Sequence, residues 1–320
     1  MKFDKFIPAI VFVVLLAYLL PELGSDGSPI PLDSIGTMGV SLIFFFYGLK
    51  LSPEKIKVGL KNWKLHILVQ SSTFVLFPIL IIIFYPFIKT ENNQTIWLSF
   101  LFLSALPSTV SSSVVMVSLA KGNVPAAIFN ASISGLIGII ITPLWMGLFL
   151  QNQSIDFDLS SVYLKLLIEI LIPVVLGLFL QKWWGKYAIR YNAYLTLFDK
   201  TIILLIIFKS FAESFKQNIF QSVNILNLIS ILIFVLILFW LVYFITGYLS
   251  NRLHFNREDK ITAQYCGTKK SLVHGTVFSK ILFPETVSLG IILLPLMVFH
   301  AMQIFIISII ATRRAKEMNH

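Results

Sequence analysis

Residues 260–282 read Lys-Ile-Thr-Ala-Gln-Tyr-Cys-Gly-Thr-Lys-Lys-Ser-Leu-Val-His-Gly-Thr-Val-Phe-Ser-Lys-Ile-Leu. The stretch is long enough to span a bilayer, yet Gly267-Thr268-Lys269-Lys270-Ser271 interrupts it at the middle. A lysine at the centre of a membrane helix costs about 2.5–3.5 kcal/mol on insertion scales, so two adjacent ones require a polar cavity or a partner, unless one snorkels to the interface. Irregular backbone at membrane depth survives only where it lines a cavity or is held by protein, because an unpaired peptide group in hydrocarbon costs several kcal/mol. The stretch thus predicts a broken membrane helix with a substrate or ion site at the break.

Upstream lies a second break. Pro107-Ser108-Thr109-Val110-Ser111-Ser112-Ser113 sets a proline and five hydroxyl residues within an apolar run. Taken alone it could be a kinked helix whose serines bond back to their own carbonyls. Its position says more. Apolar runs predict ten spans: Phe6–Leu20, Asp33–Gly48, His66–Phe87, Ile96–Ala120, Pro125–Leu150, Val162–Leu180, Thr201–Phe215, Ile225–Leu249, Lys260–Leu282 and Thr286–Ala311. The polar stretch Gln151–Asp158 divides them five and five, giving repeats over 1–150 and 151–320. Each break falls in the fourth span of its half, as in an inverted-topology repeat, where an odd number of spans per half reverses the second copy.

Working outward, the 320 residues are 57% hydrophobic and 12% charged, against about 25% charged in soluble domains. A water-soluble enzyme is excluded, and long apolar runs in place of short alternating strands exclude a transmembrane β-barrel. The single cysteine, Cys266, permits no intrachain disulfide and no cysteine-based metal site. With a cytoplasmic N-terminus, 18 loop lysines and arginines fall on its side and two, Lys89 and Lys216, on the other. Both termini are therefore expected in the cytoplasm, the membrane being the cell membrane. The net charge of +10 is then topogenic, leaving no nucleic-acid role to explain. Residues 52–64 are expected to form a short interfacial helix. No Walker A, HExxH or GxSxG pattern is present, which weighs against an ATP-driven pump or an intramembrane hydrolase.

Leu106–Met116, Ala120-Lys121-Gly122-Asn123, Ala127–Ala131 and Thr142-Pro143, with Cys266–Ser271, Ser279–Phe283 and Phe211–Phe215, carry a resemblance over nearly the whole chain. The sequence resembles the bile acid:sodium symporter superfamily, and within it the bacterial SBF-like branch related to the seventh human bile-acid carrier. The resemblance implies an all-α fold of ten transmembrane helices in two inverted five-helix repeats. Helices 1, 2, 6 and 7 would form a panel domain. Helices 3–5 and 8–10 would form a core domain in which the broken helices 4 and 9 cross. It also implies a secondary transporter that moves an organic anion by alternating access, with Pro107, Ser108, Thr109, Ser111, Ser112, Ser113, Asn130, Tyr265, Gly267, Thr268, Lys269, Lys270 and Ser271 at the crossover. Glu213 and Thr73 would line the cleft.

The sequence departs from the family at the sodium ligands. By the resemblance, Tyr265 stands at the family's carboxylate and Lys269 and Lys270 at its amides. Ser113 matches a ligand position, Val114, Ala127 and Ala131 replace polar ones, and Gln70 and Thr73 lie near the family's glutamine. Two unit positive charges about 5 Å apart repel by about 3 kcal/mol at an effective dielectric of 20, more than a hundredfold in affinity, which weighs against sodium. Three readings follow. The ammonium of Lys269 or Lys270, Lys269 being the one expected to do this work, replaces the missing cation, with the Ser111–Ser113 hydroxyls and helix C-terminal carbonyls as partners. Alternatively, desolvation favours a neutral lysine that couples transport to protons. In the third, the lysines bind an anionic substrate. A scaffold protein that keeps the fold without transport is the rival. The partners expected are an organic anion and the lipid bilayer, with a monomer as the working unit and no cofactor. Lys209 and Glu213, four residues apart, are expected to pair along their own helix unless Glu213 faces the cleft.

Overall fold

The computed structural model describes residues 6–25, 28–51, 62–88, 91–109, 111–150, 159–218, 225–284 and 287–316. In chain order its α-helices are α1 Phe6–Leu19, α2 Pro21–Gly24, α3 Leu32–Lys50, α4 Trp63–Ser71, α5 Phe77–Ile82, α6 Glu91–Ala105, α7 Ser111–Leu119, α8 Val124–Leu150, α9 Leu159–Leu166, α10 Ile172–Arg190, α11 Asn192–Lys216, α12 Ile225–Arg252, α13 Arg257–Gly267, α14 Leu272–Leu282 and α15 Leu289–Lys316. A π-helical turn, Ser72–Leu76, joins α4 to α5, and another, Leu167–Leu171, joins α9 to α10. The described residues contain no strand.

Among the described residues, six segments are long and apolar enough to cross a membrane: Leu32–Lys50, Trp63–Phe87, Val124–Leu150, Ser160–Arg190, Leu226–Arg252 and Leu289–Ala315. The other expected spans are helical but fall short for physical reasons. The 14 residues of α1 rise about 21 Å against a hydrocarbon core of about 30 Å. The fourth and ninth spans are divided at their breaks into α6 with α7 and α13 with α14. The seventh, α11, carries Asp199, Lys200, Lys209, Glu213 and Lys216.

Helix ends were less legible than helix positions. The sixth span runs on to Arg190 and the seventh starts at Asn192, where the apolar pattern ended at Leu180 and resumed at Thr201. Lys182, Lys186 and Arg190 are good helix formers, so the helix outlasts the hydrophobic run. The expected divider Gln151–Asp158, and the expected interfacial helix apart from its last residues, lie outside the described residues.

The chain forms two compact units. The first comprises residues 1–52, 154–227 and 276–293; the second comprises 53–153, 228–275 and 294–320. In the first unit, α3 packs on α10 through two glycines: a Cβ at Gly48 would overlap the Val174 carbonyl, and one at Gly177 the Phe45 carbonyl. Small residues let membrane helices approach to backbone contact. In the second unit, Asn256 caps α13 by accepting from the Asp259 amide at 2.8 Å. The Asp259 carboxylate then receives the side-chain amides of Asn62 at 2.6 Å and Asn123 at 2.7 Å. Asn123 also caps α8, its Oδ1 accepting from the Ala126 amide at 3.0 Å. A carboxylate in the first turn of α13 is where the helix dipole favours one, so a single acid ties three helix starts together.

Candidate functional site

The second unit brings the two breaks together, and each break leaves backbone groups that the other satisfies. Pro107 has no N–H to continue α6, so the last carbonyls of that helix lose their helical partners. The Pro107 carbonyl accepts from the Ser271 amide at 2.9 Å, and the Cys266 carbonyl from the Ser108 hydroxyl at 2.7 Å. Ser134 Oγ accepts from the Ser108 amide at 3.0 Å, and Thr142 Oγ1 donates to the Ala105 carbonyl at 2.8 Å. The approach is tight: a Cβ at Gly138 would lie 2.9 Å from Pro107, and one at Gly275 would overlap Leu296 and Leu106.

Lys270 is fully buried, and its ammonium donates to three carbonyls: Ser104 at 2.6 Å, Thr73 at 2.7 Å and Leu106 at 2.8 Å. An ammonium has three N–H donors, so the set is complete. Two of the carbonyls sit at the C-terminal end of α6, where the helix dipole welcomes a positive charge. The third is freed by a separate device. In the π-turn Ser72–Leu76 a carbonyl looks five residues ahead for its N–H, as the Phe77 amide donates to the Ser72 carbonyl. For Thr73 the residue five ahead is Pro78, which has none. For Phe74, Pro78 would be the ordinary fourth-residue donor, and here the Trp145 indole N–H supplies the bond at 2.8 Å. The Phe77 ring lies with its centroid 4.2 Å from the Lys270 nitrogen, adding a cation–π contact.

The backbone of Lys270 is held as well. Gln303 on α15 accepts from the Lys270 amide and donates to its carbonyl, both at 2.8 Å. His300 lies 3.0 Å from the same Gln303 amide nitrogen. Nothing in the sequence marks Gln303 as a site residue, since a lone amide in an apolar helix gives no local pattern.

Lys269 is buried too, but differently. Its ammonium donates to the Ser112 carbonyl at 2.7 Å, beside a hydroxyl cluster in which Thr109 Oγ1 lies 2.8 Å from both Ser112 Oγ and Ser113 Oγ. The Ser111 side chain and Val110 lie outside the described residues. Ser271 Oγ contacts His274 Nδ1 at 2.9 Å, and Thr268 donates back to the Gln264 carbonyl. Tyr265, at the position where the family resemblance implied a carboxylate, is buried with the Arg314 guanidinium 5.5 Å from its ring centroid, which adds a third cation to the two lysines. Arg314 is fixed by Tyr243 Oη and Gln264 Oε1, each at 3.0 Å.

Asn130 turns toward α4. Its Nδ2 lies 2.9 Å from His66 Nδ1, and its Oδ1 accepts from the Gln70 amide at 3.1 Å. Thr73 contributes its carbonyl, its hydroxyl being spent on the Val69 carbonyl. Glu213 belongs to the first unit, where it lines a cavity of about 140 Å³ with Asp33, Lys209 and Lys280. Lys209 reaches across to form a salt bridge with Asp33 on α3.

Apolar helices of membrane length, with two broken helices that cross-satisfy each other's backbone, define a multi-pass membrane protein of the transporter kind. Residues 4–316 match the SBF-like CPA transporter family, and the chain belongs to that family, whose members are transporters and not enzymes. It is 36% identical over 313 residues to the uncharacterised protein PA2026 of Pseudomonas aeruginosa, covering 98% of this chain and 93% of that one. It is also 36% identical over 314 residues to YfeH of Escherichia coli K12, a candidate symporter by name, covering 98% and 93%. With sodium/bile acid cotransporter 7-B of Xenopus laevis the identity is 31% over 311 residues, covering 96% and 90%.

Proposed function

We propose that this protein is a secondary active transporter of an organic anion in the cell membrane, with both termini cytoplasmic, and that its crossover is held by a tethered ammonium in place of a bound sodium ion. The observation that carries the reading is the Lys270 ammonium with its three carbonyls. Carbonyl oxygens freed at irregular backbone, here the π-turn of the third span and the end of α6, are what a transporter offers a coupling cation. Here a side chain fills that role at fixed occupancy. With Lys269 buried one residue away and Arg314 against Tyr265, an added cation would meet three positive charges with no carboxylate among the partners described for them.

The architecture we infer is ten spans in two inverted repeats, 1–150 and 151–320, arranged as panel and core and working by the rocking of one against the other. The division of the chain into compact units supports this reading. Residues 1–52 and 154–227 group together, as panel helices would, and 53–153, 228–275 and 294–320 form the other group; residues 276–293, from the ninth and tenth spans, fall with the first group and not with the expected core.

Lys269 takes the second role. Among the described residues its ammonium donates to one carbonyl, that of Ser112, which leaves two N–H groups for an anion or for a proton-coupled step. The experiment is uptake of a mixture of organic anions into proteoliposomes, read by mass spectrometry, with sodium or choline outside. The expected result is uptake of at least one anion at equal rates in the two salts, lost in Lys269→Gln. Sodium-dependent uptake would overturn the tethered cation. Absence of uptake by folded protein under either gradient would favour the scaffold reading.

A further inference from the structure

We propose that the C-terminal end of α10 is a binding site for an anionic phospholipid, built from a basic stripe and an aromatic stripe that run side by side along the helix. Both stripes follow from spacing. Lys182, Lys186 and Arg190 recur at every fourth residue, and so do Phe179, Trp183, Tyr187 and Tyr191, the last of which caps the helix. Residues four apart lie one above the other on a helix, so each set forms a line.

The helix is held from its other side. A Cβ at Gly177 would overlap the Phe45 carbonyl of α3, one at Gly185 would lie 3.3 Å from the Leu49 carbonyl oxygen, and Val174 and Ala188 are buried on the same face. At about 3.6 residues per turn the basic stripe falls opposite that face, with the aromatic stripe beside it. All four rings are open: Phe179 is 68% exposed, Trp183 56%, Tyr187 60% and Tyr191 47%. The three cations are exposed as well. Among the described residues none of them has a carboxylate partner, and the Trp183 indole N–H donates to no group of the chain. The Arg190 guanidinium rests 5.8 Å from the Tyr191 ring centroid.

The order of the rings says what covers them. From Phe179 to Tyr191 the line passes from a hydrocarbon ring through an indole to two phenols, the order of polarity met on leaving a bilayer core for its headgroups. The apolar run of this span ends at Leu180, which puts Trp183 at the boundary. Lys186 and Tyr187 then lie about 4–6 Å further out, inside a headgroup layer roughly 5–8 Å deep. A protein partner in water has no use for such a gradient. A phospholipid matches it end to end, with an acyl chain on Phe179, the ester carbonyls by the Trp183 indole and the phosphate between Lys182 and Lys186. Arg190, one turn further out, sets the selectivity: it repels the ammonium of a zwitterionic headgroup and tolerates a neutral glycerol. The leaflet, the cytoplasmic one, rests on the orientation proposed above; the binding itself does not rest on transport.

The test is native mass spectrometry of the full-length protein in detergent, titrated with phosphatidylglycerol or with phosphatidylcholine of the same acyl chains. The wild type is expected to retain phosphatidylglycerol saturably and phosphatidylcholine weakly. A basic residue at an anionic lipid surface favours binding by about fivefold, so Lys182→Gln with Lys186→Gln should weaken phosphatidylglycerol binding by about 25-fold. The charge-matched pair Lys64→Gln with Arg252→Gln, exposed elsewhere on the chain, should leave it unchanged. Trp183→Ala should weaken it at constant charge. Equal loss in the two double variants would mean diffuse attraction to total charge and would overturn the site, as would equal retention of the two lipids or no loss in the stripe variant. A wild-type dimer that retains no lipid and that Trp183→Ala splits would assign the stripe to a second copy, and overturns it too. Selective lipid binding without uptake of any anion defeats transport and leaves the site standing, while uptake without selective lipid binding does the reverse.

Discussion

The ammonium of Lys270 lies 2.7 Å from the Thr73 carbonyl oxygen, an acceptor that Pro78 leaves without a partner in its own helix. The lysine and the proline, 192 positions apart by number, form one structural device: the second creates a vacancy for a donor and the first fills it.

Replacing Lys270 by Met keeps the chain length and removes the donors. Each buried carbonyl left unpaired costs about 1–3 kcal/mol, so the variant should melt well below wild type or fail to fold. Lys270→Arg should rescue poorly, since a planar guanidinium cannot aim at three acceptors arranged around a tetrahedral nitrogen. Thermal unfolding in detergent checks both. A Met variant as stable as wild type would show that the carbonyls are satisfied without the lysine.

The melting temperature of wild-type protein should be equal in sodium and choline chloride at matched ionic strength. A saturable, millimolar stabilisation by sodium alone would mean that a cation site coexists with Lys270, contrary to the repulsion of about 3 kcal/mol expected for charges about 5 Å apart.

Gln303→Leu should destabilise the protein by about 2–4 kcal/mol, because it strands both the amide and the carbonyl of Lys270 in the core. Gln303→Glu retains the acceptor and loses the donor, so its stability should fall between Leu and wild type. If Glu is no better than Leu, the brace is not acting through these two bonds.

Asp259→Ala should cost about 1–3 kcal/mol, since it strands the side-chain amides of Asn62 and Asn123 at once. The additional Asn123→Ala change should then cost less than it does in wild type, a non-additivity that a double-mutant cycle measures.

For topology, Ser28→Cys should react with a membrane-impermeant maleimide added outside cells, and Arg190→Cys only after permeabilisation. Labelling of both from the same side would refute the assigned orientation. The native thiol, Cys266, is buried and should stay silent in either case.

What the sequence discloses and what it withholds divide along the range of each signal. Pro107 and the Lys269–Lys270 pair announce breaks because they violate the local rules of an apolar helix, and both breaks are where the chain leaves its helices. That carbonyls would gather around Lys270, with the Lys269 ammonium on Ser112, depends on the side to which each residue points after a break, which no spacing rule encodes. Asn130 stands out in the sequence as a buried polar group, yet its partners, His66 and Gln70, are fixed by packing on α4. Gln303 is silent because its whole use is to pair with the backbone of a residue 33 positions away.

The pairing of Pro78 with Lys270 also bears on how this sequence can change. Removing the lysine alone strands the Thr73 carbonyl. Removing the proline alone restores a helical N–H near the same acceptor, and a carbonyl oxygen has two lone pairs, so the lysine keeps its bond. Loss of the lysine is therefore the costly step; with the proline already gone the cost at Thr73 falls, but the Ser104 and Leu106 carbonyls still need a donor. The crossover is thus entrenched by the lysine: while three carbonyls depend on its ammonium, a descendant that returns to a mobile cation must cross a valley in stability, and earlier loss of the proline makes that valley shallower.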